Sequence, residues 1–149
     1  MIRPQHVIAL LVLTAAGPAA AGPLPAGTYA GTARWIAANG TRGSYTVERS
    51  FNGNVVTNHY EWTGSKRTSE THRMTFAVKG ADPFFEVMDE KNKVVGKGFC
   101  VENSCSYTVD TGTVKVEETF RFGDGVIEVV GGKSGAGFKV AWKEDLKLK

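Results

Sequence analysis

From residue 28 onward, apolar and polar residues alternate with period two between clusters of Gly, Asn and Asp. No stretch in this region sustains the i, i+3, i+4 recurrence of an amphipathic helix. The alternation predicts about ten strands, over residues 28–37, 43–51, 54–63, 67–79, 84–88, 94–100, 105–111, 113–122, 126–131 and 137–148. The connections are short, and none can hold the crossover that parallel pairing needs, so sequential antiparallel hairpins are expected. Residues 131–137, rich in glycine, read as a surface loop.

Two turns set register. Asn52-Gly53 is a strong two-residue hairpin signal. Pairing outward from it sets Arg49 opposite Val56, Val47 opposite Asn58 and Tyr45 opposite Tyr60 on one face, with Glu48, Thr57, Thr46 and His59 on the other. Asp124-Gly125 pairs Phe122 with Ile127 and Phe120 with Val129, and sets Arg121 against Glu128 on the wet side. In the last strand Phe138, Val140, Trp142, Leu146 and Leu148 share one side, and Lys139, Lys143, Asp145 and Lys147 share the other.

Strands wet on one side only, with no helix to cover them, must bury their apolar faces against each other as a sandwich or a closed barrel. Short sequential hairpins favour an all-β, antiparallel up-and-down barrel of about 8–10 strands. Outward Lys, Glu, Thr and Ser argue against a barrel facing lipid.

The start of the chain departs from this pattern. A basic residue at Arg3, an apolar run from Val7 to Leu13 and an Ala-x-Ala ending at Ala21 form a secretory signal peptide over 1–21, leaving one domain over 22–149. The apolar run is too short to cross a bilayer, so the protein is expected to be soluble and periplasmic or secreted, not membrane-spanning. Export makes a disulfide between Cys100 and Cys105 the default pairing. If those residues face each other, Gly98 faces Tyr107 and Gly96 faces Val109 inside, which turns Lys97 and Phe99 outward. The excess of 18 Lys and Arg over 15 Asp and Glu is small and unclustered, so nucleic acid is not an expected partner.

Polar residues on an inward face carry the most information, because burial without partners costs several kcal/mol. Register turns Arg49, Asn58 and Glu118 inward, and alternation from Met74, Phe76 and Val78 carries Glu70 and His72 to the same side. These five are the candidate ligand-binding residues, with Arg49 the candidate anchor for an anionic head group. An acid–base enzyme would have only His72 and Glu118 to work with, so a non-enzymatic protein without cofactor or metal is the expectation. Its ligand would be a small apolar or amphipathic molecule.

The hairpin succession resembles in architecture the calycins, the lipocalins and fatty-acid-binding proteins; lipocalins begin with Gly-x-Trp, whereas this chain has Gly31 and Trp35 separated by Thr32, Ala33 and Arg34. That resemblance implies an interior that carries a small apolar ligand. A second, local resemblance covers Ser134, Gly135, Ala136, Gly137, Phe138 and Trp142. It is to the Ser-Gly-Ala-x-aromatic segment of periplasmic inhibitors of c-type lysozyme. It implies the alternative of a protein partner gripped through the Gly131–Gly137 loop by Lys133 and Ser134.

Overall fold

The computed structural model describes residues 24–62, 64 and 68–149, so the expected signal peptide lies outside the described residues. Ten strands follow in order: β1 (Gly27–Ala37), β2 (Arg42–Asn52), β3 (Val55–Trp62), β4 (Thr68–Val78), β5 (Phe84–Met88), β6 (Val94–Val101), β7 (Ser104–Asp110), β8 (Val114–Gly123), β9 (Val126–Gly135) and β10 (Phe138–Leu148). Each pairs antiparallel with the next, and β1 pairs with β10 from Tyr29 opposite Leu148 to Ala37 opposite Val140. The sheet therefore closes as an up-and-down barrel, which removes its edges.

Apart from β9, the strands fall within one residue of the alternation's expectation. β9 runs on through Gly135, so the glycine-rich segment is strand and only Ala136 and Gly137 turn the chain. The neighbouring strand accounts for this. A Cβ added to Gly131 would come within 2.5 Å of the Trp142 indole, and one at Gly135 within 2.5 Å of the Phe138 ring. Each aromatic ring lies flat over a glycine on the adjacent strand and supplies the packing that the glycine lacks. Lys133 is consequently a strand residue opposite Val116 and Val140, and Ser134 lies opposite Lys115 and Lys139.

The hairpin between β2 and β3 also differs from expectation. Its central residues are Gly53 and Asn54, with Phe51 opposite Val56, Arg49 opposite Asn58 and Val47 opposite Tyr60. Gly53 takes φ of 57°, the conformation that a leading glycine supplies in a two-residue turn. The carbonyl of Asn54 is held by the Phe76 N–H at 2.8 Å, which ties the turn to β4. Because the register moves by two residues, every side chain keeps its face. The β8–β9 hairpin has the expected pairs, and the Cys100–Cys105 disulfide joins facing residues of β6 and β7 with Gly98 opposite Tyr107.

The interior has three levels. The end holding the β2–β3 and β8–β9 turns is packed solid by Leu24, Phe51, Val56, Phe76, Phe85, Phe120, Ile127 and Leu146. Its rings stack closely, with Phe76 at 5.1 Å from Phe85 and 5.0 Å from Tyr107. Above this plug lies a buried polar layer of Arg49, Asn58, Glu118 and Glu144. Beyond that layer the barrel is open. The outer surface carries ion pairs, such as Lys143 with Glu128 at 2.8 Å. Among the described residues no helix is long and apolar enough to cross a membrane.

Candidate functional site

The polar layer is built by one arginine. Arg49, on β2, is fully buried, and each of its five N–H groups has an acceptor. Nε donates to Glu144 Oε2 at 2.7 Å, and Nη2 donates to Glu144 Oε1 at 2.9 Å and Glu118 Oε1 at 2.8 Å. Nη1 donates to Glu118 Oε2 and to Asn58 Oδ1, both at 3.2 Å. The carboxylates collect further donors. Tyr45 Oη donates to Glu144 at 2.8 Å, Trp142 Nε1 donates to Glu118 at 3.1 Å, and the Tyr107 hydroxyl donates to Glu118. The guanidinium carbon also stands 5.2 Å from the Phe120 ring centroid and 5.8 Å from that of Tyr60.

Burial alone would lower the guanidinium's affinity for its proton, but Glu118, Tyr60 and Glu144 around it raise the pKa well above the ordinary value. Burial raises the Tyr45 and Tyr107 phenols, and the adjacent carboxylates raise them further, so both remain donors. Burial likewise raises Tyr60, against the lowering effect of Arg49. Formally the layer holds one positive and two negative groups. The surplus is one negative charge, and a unit charge brought to about 6 Å of it would feel about 3 kcal/mol at an effective dielectric near 20.

Above the layer is a cavity of about 880 Å³. The chain contains three tryptophans, and all three, Trp35, Trp62 and Trp142, stand in its wall. Tyr45, Tyr60 and Trp62 form a continuous aromatic panel, with ring centroids 5.7–5.8 Å apart. Trp35 faces Trp142 across β1 and β10, and its indole lies over Gly43 as that of Trp142 lies over Gly131. The opposite wall is aliphatic, from Val95, Val109, Val114, Val116 and Val140. Two wall groups have no hydrogen-bonding partner among the described residues, the Tyr60 hydroxyl and the Asn58 amide NH2, whose Oδ1 is fixed as an acceptor by Arg49. The rim carries Glu70, Asp89 and Glu90 together with Arg73, Lys91 and Lys133.

The five inward candidates thus separate by depth. Asn58 and Glu118 form the cavity floor, while Arg49 lies beneath it with every donor engaged and is absent from the wall. Arg49, the expected anchor for an anionic head group, has each of its N–H groups engaged by Glu118, Glu144 or Asn58. Glu70 and His72 share the expected face but sit at the mouth, paired at 3.1 Å, with side chains 60 % and 58 % exposed. They are exposed because β4 leaves the barrel's covered length there; all six residues from Thr68 to Arg73 are exposed. Lys133 reaches the rim from β9, and Ser134 does not line the cavity. Sequence reasoning missed Glu144, which is 0 % exposed. Its signal was a carboxylate at the one gap in the apolar row from Phe138 to Leu148. Among the described residues no group of three or more His, Cys, Asp or Glu side chains could hold a metal ion.

No family model matches the chain, and neither does any curated protein. Among solved structures, the barrel is similar to an S-type phycobiliprotein lyase from Guillardia theta. The TM-score is 0.66 at 7 % identity, over 83 % of this chain and 88 % of that one. This likeness is one of fold, an antiparallel β-barrel.

Two outcomes follow from the polar layer. Arg49→Met keeps much of the apolar stem but leaves two buried carboxylates unpaired, so denaturant unfolding should show a loss of about 3 to 5 kcal/mol. A loss under about 1 kcal/mol would mean that the carboxylates do not need the guanidinium. The phenols set an alkaline limit. Tyr45, Tyr60 and Tyr107 bind their protons more tightly folded than unfolded, so they stabilise the fold below the ordinary phenol pKa of 10.0 and lose that contribution as pH rises above it. Tyrosinate absorbance from these three should therefore appear together with loss of the β circular dichroism signal. Titration near pH 10 in a protein that stays folded would contradict their burial.

Proposed function

We propose that the barrel is an exported, non-enzymatic binding protein that takes a small apolar or amphipathic molecule into its interior. The observation that carries this reading is the open aromatic cavity of about 880 Å³ above a closed polar floor. Its size lies within the range of small-molecule sites, and its lining combines apolar surface with a few placed polar groups. The fold likeness to a phycobiliprotein lyase agrees with ligand binding in a general way. A protein partner gripped by residues 131–137 has less support, since a hydrogen-bonded strand lacks the freedom of a loop to enter a partner's cleft.

Titration with a neutral apolar fluorophore such as N-phenyl-1-naphthylamine should give saturable uptake near one per chain, with quenching of all three tryptophans. Val116→Trp, which fills the cavity from its aliphatic wall, should weaken that uptake at least tenfold while the fold persists. Absence of saturable uptake by the unaltered protein would rule out the binding reading. Export has its own test, supported by the charged start, the apolar run and the disulfide. Intact mass of protein recovered from producing cells should lack residues 1–21 and show two hydrogens fewer than the reduced chain. Mature protein retaining Met1 would refute the signal peptide.

A further inference from the structure

The interior site has a sign as well as a shape. A free cationic donor would favour an anion here, but among the described residues the only cation below the rim is Arg49, whose five N–H groups all go to Glu118, Glu144 and Asn58. What remains beneath the cavity is the charge of one carboxylate beyond what the guanidinium neutralises. Among the described residues that line the rim, three acidic residues are matched in number by three basic ones. The walls reinforce the sign. Trp and Tyr rings carry negative charge on their faces, and a cation within about 6 Å of such a face is attracted, most strongly where water is displaced.

We infer that the cavity selects a monocationic ligand, an amphipathic or aromatic amine or quaternary ammonium, held between the Tyr45, Tyr60 and Trp62 panel and the floor of Asn58 and Glu118, with Glu144 buried beneath it. The Tyr60 hydroxyl and the Asn58 amide take any oxygen or nitrogen acceptor that the ligand carries. As neutral groups they do not offset the charge below. This inference rests on the binding reading and adds to it the chemical class of the ligand.

The test compares three molecules that share a twelve-carbon tail, dodecyltrimethylammonium, dodecanol and dodecanoate. Each is titrated below its micelle concentration against the fluorescence of the three tryptophans. The ammonium should bind at least tenfold more tightly than dodecanoate, with dodecanol between them. Glu118→Gln, which removes the surplus charge, should narrow that gap. The comparison on unaltered protein decides the matter even if that variant does not fold. Dodecanoate binding as tightly as the ammonium would overturn the cation preference and leave interior binding standing. If none of the three binds, the cation preference falls, and the binding reading falls with it only where the neutral fluorophore is not taken up either. Ammonium binding that is unchanged in Val116→Trp lies outside the cavity and also overturns the inference.

Discussion

A guanidinium in the middle of a small β-barrel would be costly to bury alone, and the rest of this molecule is arranged around giving it partners. Arg49 lies on β2, Asn58 on β3, Glu118 on β8 and Glu144 on β10, so one side chain ties together strands from both halves of the chain. Sliding any of these strands by one residue would turn a charge outward and leave its partners buried without it. The layer thus opposes register slips more strongly than apolar packing does, because apolar neighbours tolerate substitution and unpaired charges do not. It also divides the interior. Buried phenylalanines pack beneath it, and a cavity can stand above it because the floor has its strong donors and acceptors already engaged.

Much of this architecture could be read from alternation alone. The strand spans, the Phe122–Ile127 hairpin and the inward turn of Arg49, Asn58 and Glu118 all depend on side-chain parity, which a period of two encodes directly. Height along the barrel is not encoded that way. Glu70 and His72 share parity with Met74 and Phe76, yet the same inner face passes from core to solvent within a few residues of β4. Glu144 illustrates another limit. One carboxylate in an apolar row looks like an interruption until the arginine that needs it is known, and that arginine stands 95 residues away.

Glycine misleads in a different manner. Intrinsic preference places Gly131, Gly132 and Gly135 outside regular strands, because glycine gives up more entropy on ordering and offers no side chain to pack. Here Trp142 occupies the space above Gly131 and Phe138 that above Gly135, so the missing Cβ becomes a condition for the indole to lie flat. That placement brings Trp142 Nε1 to Glu118, and the glycines therefore contribute to the cavity floor from a strand that supplies no charge to it. The same relation holds for Gly43 beneath Trp35. Reading these positions correctly requires knowing which residue lies across the sheet.

Shape and sign consequently have separate origins in this barrel. The walls come from aromatic side chains seated over glycines and from a row of valines, and these could be exchanged for others of similar size at modest cost. The sign comes from the imbalance between one guanidinium and two carboxylates, and those three groups also hold the strands in register. A change in wall residues would alter which tail fits while leaving the charge beneath it as it was. Changing the charge requires altering a side chain on which the fold depends. The preference for one sign of ligand is therefore tied to stability far more tightly than the preference for one shape.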